Sequence, residues 1–90
     1  MLEAKVKIIN QLGLHARAAA QLVRLASTFS SKIILKRADK AVFADAKSIL
    51  SVLTLAAAKG TELNAVVDGT DEKNALAAIE EIFRNGFGEL

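Results

Sequence analysis

Along this 90-residue chain the period of the apolar residues keeps changing, and no period is held for long. Ala4 to Ile9 alternates, with Ala4, Val6 and Ile8 on one side and Lys5 and Lys7 on the other, the pattern of a half-buried strand. Asn10 to Gly13 reads as a turn. From Ala16 to about Thr28 the period becomes helical, with Ala16, Ala19, Ala20, Val23 and Ala26 on one face and many helix-favouring alanines. Lys32 to Lys36 is a short buried strand, Ala38 to Lys40 a turn and Ala41 to Phe43 a return strand, so residues 32–43 form a hairpin. Ser48 to Ala58 is a second helix, closed by Gly60 as its left-handed C-terminal residue. Glu62 to Asp68 is a strand carrying Leu63, Val66 and Val67. Thr70 reads as the N-cap of a third helix, with Asp71 and Glu72 in its first turn, a stripe of Leu76, Ile79, Ile82 and Phe83, and a stop at Asn85-Gly86.

The order is β-α-β-β-α-β-α. Strands this short, with a hairpin among them, predict an α+β fold: a mostly antiparallel sheet with helices on one face. The length allows one domain, residues 1–90. Hydrophobic residues at 52% and charged residues at 24% are the balance of a globular chain rather than a disordered one. There is no cysteine, which excludes disulfides, Cys-based zinc and a thiol nucleophile. A single histidine cannot build a His-rich metal site, so no metal and no cofactor are expected. No apolar run has the length of a membrane span, and Met1 to Asn10 lacks the layout of a signal peptide, so a soluble cytoplasmic protein without membrane insertion is expected.

Charge is unevenly spread. Residues 1–40 carry eight basic and two acidic residues, a balance of 8 − 2 = +6, and residues 41–90 carry four and eight, 4 − 8 = −4. An acidic partner suits the basic region. Dispersed basic residues without Trp or Tyr make a nucleic-acid groove a poor fit, and no nucleic acid is expected as partner.

His15 stands where the first loop becomes a helix. The opening amides of a helix have no intrahelical partner and can hold the oxygens of a phosphoryl group. The positive end of the helix dipole disfavours the imidazolium, leaving a ring nitrogen able to act as a nucleophile. Arg17 can pair with phosphate oxygens in a fork. Arg17, Gln21 and Arg24 fall on one helix face and extend a basic strip. This segment by itself leaves a second reading open, in which His15 only caps the helix and the arginines are solvated. Ser48 is an N-cap candidate, and equally a phosphorylation site at a helix start. The second helix is too apolar for a surface helix of a small domain: Ile49, Val52, Leu53 and Ala56 can cover the core, while Leu50 and Leu55 lie on the flanks of that stripe. Either loops cover the remainder or a partner docks there.

Gly13-Leu14-His15-Ala16-Arg17, taken with Ala46-Lys47-Ser48-Ile49-Leu50, resembles the histidine-containing phosphocarrier (HPr) family of the bacterial phosphoenolpyruvate-dependent phosphotransferase system. The resemblance covers essentially the whole chain, including the Lys59-Gly60-Thr61 turn and the closing Phe87-Gly88-Glu89. It implies an open-faced β-sandwich, four antiparallel strands under three helices. It implies that His15 takes a phosphoryl group through Nδ1 from the first enzyme of the system, Enzyme I, and passes it to a histidine of an EIIA-type acceptor. The protein is then a covalent intermediate in a relay rather than a stand-alone enzyme. Arg17 matches the arginine that supports the phosphorylated state, and Ala16 and Arg17 supply backbone N–H groups. Ser48 matches the regulatory serine, phosphorylated in some bacteria by an HPr kinase/phosphorylase. Ala20, Arg24, Ile49 and Leu50 match the shared docking surface, and a carrier that meets partners in turn is expected to be a monomer.

Two positions depart from the family pattern. Ala18 stands where many members have proline; proline would fix φ in the first turn, whereas alanine keeps the helix and loosens the active loop. Ser51 stands where a glycine often follows the regulatory segment. The Phe83-Arg84-Asn85-Gly86-Phe87 ending also resembles the nitrogen-related branch, whose carriers act in regulation rather than sugar uptake. The competing class is a non-catalytic α+β binding module that never carries phosphate, in which His15→Ala leaves activity unchanged.

Overall fold

A computed structural model describes all residues from Met1 to Leu90. In chain order the elements are β1 (Leu2–Lys7), α1 (Ala16–Ala26), β2 (Lys32–Arg37), β3 (Phe43–Asp45), α2 (Ile49–Leu53), β4 (Glu62–Asp68) and α3 (Glu72–Arg84), followed by a 3-10 turn at Gly86–Gly88. The strands form one four-stranded sheet in the order β1-β4-β2-β3, antiparallel throughout. The chain therefore adopts the open-faced arrangement expected of it. No helix is long and apolar enough to cross a membrane.

The register explains the two faces. Val6 lies opposite Leu63, Ile33 opposite Val67, and Leu35 opposite both Ala65 and Ala44; all are buried on the helix side. The alternate positions, among them Lys5, Lys36 and Phe43 around the half-buried Asn64, form the uncovered face. A sheet covered on one side only needs this period of two. Leu22, Ile79 and Phe83 come down from α1 and α3 to close the core.

The helices depart from the sequence reading in instructive ways. On α1 the buried face is Ala18, Ala19, Leu22 and Ala26, while Ala16 is exposed and Ala20 and Val23 are half-buried. The stripe is rotated because Leu22, the largest apolar side chain of that turn, takes the centre. On α3 the core residues are Ala75, Ile79 and Phe83, with Leu76 and Ile82 at the margin. In β4 Leu63, Ala65 and Val67 are buried and Val66 belongs to the other face.

The second helix is much shorter than residues 48–58: it ends at Leu53. Thr54 and Leu55 turn on bonds to residues three back, Thr54 N–H to Ser51 O at 3.1 Å and Leu55 N–H to Val52 O at 3.1 Å. Leu55 thereby points inward and is buried. Its carbonyl is captured by the Arg37 guanidinium, Nη1 to O at 2.8 Å. Ala56 takes the left-handed conformation that follows the helix, at φ 48°, while Gly60, also at positive φ (93°), lies further on in the next turn. Gly60 instead donates its N–H to Ile8 O at 2.7 Å, prolonging the β1–β4 pairing.

The return strand of the hairpin begins at Phe43 rather than Ala41. Arg37 N–H bonds Val42 O at 2.9 Å and the Arg37 side chain clamps Asp39, so residues 38–42 form the loop. Thr70 does not cap α3. Asp71 occupies the N-cap position, yet its carboxylate accepts from the Ser30 and Ser31 amides, each at 2.9 Å, and from the Ser31 hydroxyl. Asp71 thus ties the end of the α1–β2 connection to the start of α3.

Candidate functional site

The loop Asn10–Leu14 delivers His15 to the N-terminus of α1. Gly13 has φ +69°, and a Cβ there would lie 2.6 Å from the carbonyl oxygen of Ala57, so glycine lets the loop pass against residues 57 and 58. Leu14 N–H donates to Ala57 O at 2.9 Å, and its side chain is buried. The chain then leaves the core at His15 with extended backbone, φ −73° and ψ 176°, as an N-cap residue requires.

The two nitrogens of the His15 ring meet different groups. Nδ1 accepts the backbone N–H of Arg17 at 3.3 Å. Nε2 meets the carboxylate of Glu89, which arrives from the other end of the chain. Glu89 in turn accepts from the amide of Asn10, Nδ2 to Oε1 at 2.8 Å, and the same Nδ2 donates to Gly13 O at 2.8 Å. Asn10 is fully buried. The Glu89 carboxyl is held below its usual range, first by the bond from Asn10, then by His15 and the charge of Arg17, against the opposing effect of desolvation.

The His15 side chain is 27% exposed, enough to meet another protein's donor group but no deep pocket. The Arg17 guanidinium forms no hydrogen bond or ion pair within the chain and is exposed, so it is free to take phosphate oxygens. Ala16 is exposed beside it, and its amide belongs to the open helix end. The Arg17 amide is turned onto Nδ1, at a distance long enough to be a weak bond that an incoming anion can replace.

Ser48 does cap α2: its Oγ accepts from Ser51 N–H at 3.4 Å, with the Ser48 backbone extended. Ser51 repays this segment by accepting the Asp45 N–H on its own Oγ at 2.9 Å, a bond glycine could not make. Ile49 is 39% and Leu50 75% exposed, and Leu53 is 37% exposed. The loops therefore do not cover α2, and only Val52 of this helix is buried. α1 and α2 pack against one another, with Ala20 half-buried and Arg24 exposed on α1. Exposed Arg17 and Arg24 on α1 and bare apolar side chains on α2 thus belong to two helices that pack together.

Sequence reasoning placed His15, Arg17 and Ser48 but gave no role to Asn10 or Glu89. In the sequence Asn10 reads as part of a turn and Glu89 as part of a closing motif. The His15–Glu89 contact spans 74 residues, so no local period signals it.

A family model described as "PTS HPr component phosphorylation site" matches residues 2–85. Curated phosphocarrier proteins HPr from Treponema pallidum and Xylella fastidiosa (strain Temecula1) are 47% and 45% identical. The first alignment covers 99% of each chain, the second 99% of this chain and 98% of the relative. The crystal structure of HPr-C-His from Thermoanaerobacter tengcongensis superposes with a TM-score of 0.92 at 37% identity, over 100% of this chain and 99% of that one. A dimer of HPr from the same organism matches with a TM-score of 0.77 at 36% identity, over 99% of this chain and 100% of the other. With a family model matched over most of the chain and relatives of 45–47% identity over nearly all of it, the chain belongs to the HPr family of phosphocarrier proteins.

Proposed function

We propose that this protein is a phosphoryl carrier of the phosphoenolpyruvate-dependent phosphotransferase system, working through His15. The observation that carries the reading is the position of the His15 ring at the open N-terminus of α1 in an HPr-family fold, with Arg17 unpaired beside it. Nδ1 attacks the phosphorus held on a histidine of Enzyme I. The new P–N bond forms as the old one breaks, and the electron pair returns to the donor ring. Donation to a histidine of an EIIA-type acceptor is the same exchange in reverse order. Such transfers need positioning and charge stabilisation more than side-chain acid–base chemistry. The Ala16 amide, the Arg17 amide released from Nδ1, and the Arg17 guanidinium serve the phosphoryl oxygens.

The shallow site suits exchange with several partners. Ala20, Arg24, Ile49 and Leu50 form the surface on which they dock, and the basic strip favours acidic partner faces. Ser48 at the start of α2 lies beside that surface; a phosphate there is tolerated by the helix end and repels an acidic partner. An HPr kinase/phosphorylase would be the enzyme that adds it. The carrier acts as a monomer in the cytoplasm, where this face stays free.

Intact-mass spectrometry at neutral to alkaline pH tests the reading. Incubation with phosphoenolpyruvate and Enzyme I of the same host should add one acid-labile phosphate to the native chain and none to His15→Ala. An unmodified native chain, with that Enzyme I active on another carrier, would sink it.

A further inference from the structure

We infer that Glu89 is a positioning residue that holds His15 as its Nε2–H tautomer and thereby presents Nδ1 as the phosphoryl acceptor; the phosphoryl half of this inference rests on the carrier reading. Nδ1 accepts an amide N–H, so it carries a lone pair rather than a proton. Nε2 faces an ionised carboxylate, which can only accept. Both neighbours select the same tautomer, and the hydrogen bond made by one ring nitrogen sets the state of the other.

The carboxylate cannot turn away freely. The amide of the buried Asn10 grips both Glu89 Oε1 and Gly13 O, while Asn10 Oδ1 has no partner within the chain. Flipping that amide would set its oxygen against two other oxygens. The chain bends to deliver Glu89: Phe87 adopts left-handed backbone at φ 56° between Gly86 and Gly88. That strained residue is held by burial and by edge-on packing against Phe83, with ring centroids 5.0 Å apart. Glu89 meets the ring from the C-terminal turn, and the charge of Arg17 on α1 acts in turn on Glu89.

The consequence for transfer follows from the proton. When Nδ1 bonds phosphorus, the proton on Nε2 stays and the ring becomes cationic, directly against Glu89. When the P–Nδ1 bond breaks, the electron pair returns to Nδ1 and a neutral imidazole leaves. Glu89 keeps the proton in place through both halves, so no proton need be exchanged with water.

Nitrogen-15 NMR of the imidazole tests this at alkaline pH in the native chain, Glu89→Gln and Glu89→Ala. The Gln carbonyl can serve Asn10 or the ring but not both, so the variant should populate the Nδ1–H form that the native chain lacks. Phosphoryl transfer from Enzyme I should slow by about tenfold or more, as for other carboxylates that orient a functional imidazole. Circular dichroism of each variant establishes that the fold is retained. A native ring found as Nδ1–H overturns the inference. So do variants that keep both the native tautomer and a transfer rate within about twofold of native. If the native chain accepts no phosphate, the carrier reading fails, and the tautomer comparison still decides what Glu89 does.

Discussion

Gly13→Ala should destabilise the protein through two separable effects, and a second glycine supplies the control. At φ +69° an L-residue bears left-handed strain of about 1–2 kcal/mol. The loss of unfolded-chain freedom offsets about 0.4–1 kcal/mol of that. The new Cβ would also stand 2.6 Å from Ala57 O and 3.0 Å from Ala58 Cα. Both are backbone atoms held by the Leu14–Ala57 bond, so they cannot swing aside as a side-chain tip would. Overpacking of this kind costs about 1–3 kcal/mol. The sum is about 2–4 kcal/mol, and at ~4–8 °C per kcal/mol for a chain of this size Tm should fall by ~10 °C or more. Gly60→Ala carries positive-φ strain with nothing within 4 Å of its Cβ, so only about 1 kcal/mol should be lost. Gly13→Asn keeps the Cβ contact while tolerating the backbone angle better, and should fall between the two. Urea titration and calorimetry of the three variants measure the ladder directly. Equal losses at residues 13 and 60 would refute the argument that the close approach to Ala57 is what requires glycine beside the candidate site.

Leu22→Ala should cost about 2–5 kcal/mol, because the side chain is fully buried at the centre of the α1 face; denaturant midpoints would show it. Leu50→Glu should leave Tm within a few degrees, since the side chain is 75% exposed, yet weaken binding to Enzyme I in titration calorimetry. Asp71 titrates at about 2 instead of 3.8, first because the Ser31 hydroxyl donates to it and next because of the Ser30 amide. Its folded-state value is the lower one, so its contribution is complete above the unfolded value and is lost as pH falls from about 4 to about 2. Unfolding free energies measured in pH steps should therefore drop more steeply across that window in the native chain than in Asp71→Asn.

The longer strands were legible because burial on one face imposes a period of two, although β1 starts two residues earlier than its alternation suggests and the short β3 begins only where the segment read for it ends. Glu62–Asp68 coincides with β4 for that reason. Helix faces were less legible on α1, where alanine is small enough to sit on either side and only Leu22 decides the rotation. The end of α2 was not legible at all. Ala56 through Ala58 favour helix by intrinsic propensity, yet the helix ends at Leu53 and the Leu55 carbonyl is taken by Arg37 from a strand 18 residues away. The left-handed Ala56 carries no glycine to announce it.

The same division runs through the candidate site. His15, Arg17 and Ser48 stand at or beside helix starts formed by their immediate neighbours, so short motifs reveal their placement. Asn10 and Glu89 act across the fold. Asn10 joins the first loop to the last turn, and Glu89 reaches the ring only because α3 runs back along β1 and β4 and the chain then bends at Phe87. A carrier must keep its acceptor nitrogen exposed, so it cannot enforce the ring's state by burying it. Holding the opposite nitrogen against a carboxylate 18% exposed, on a ring that stays 27% exposed, would meet both demands.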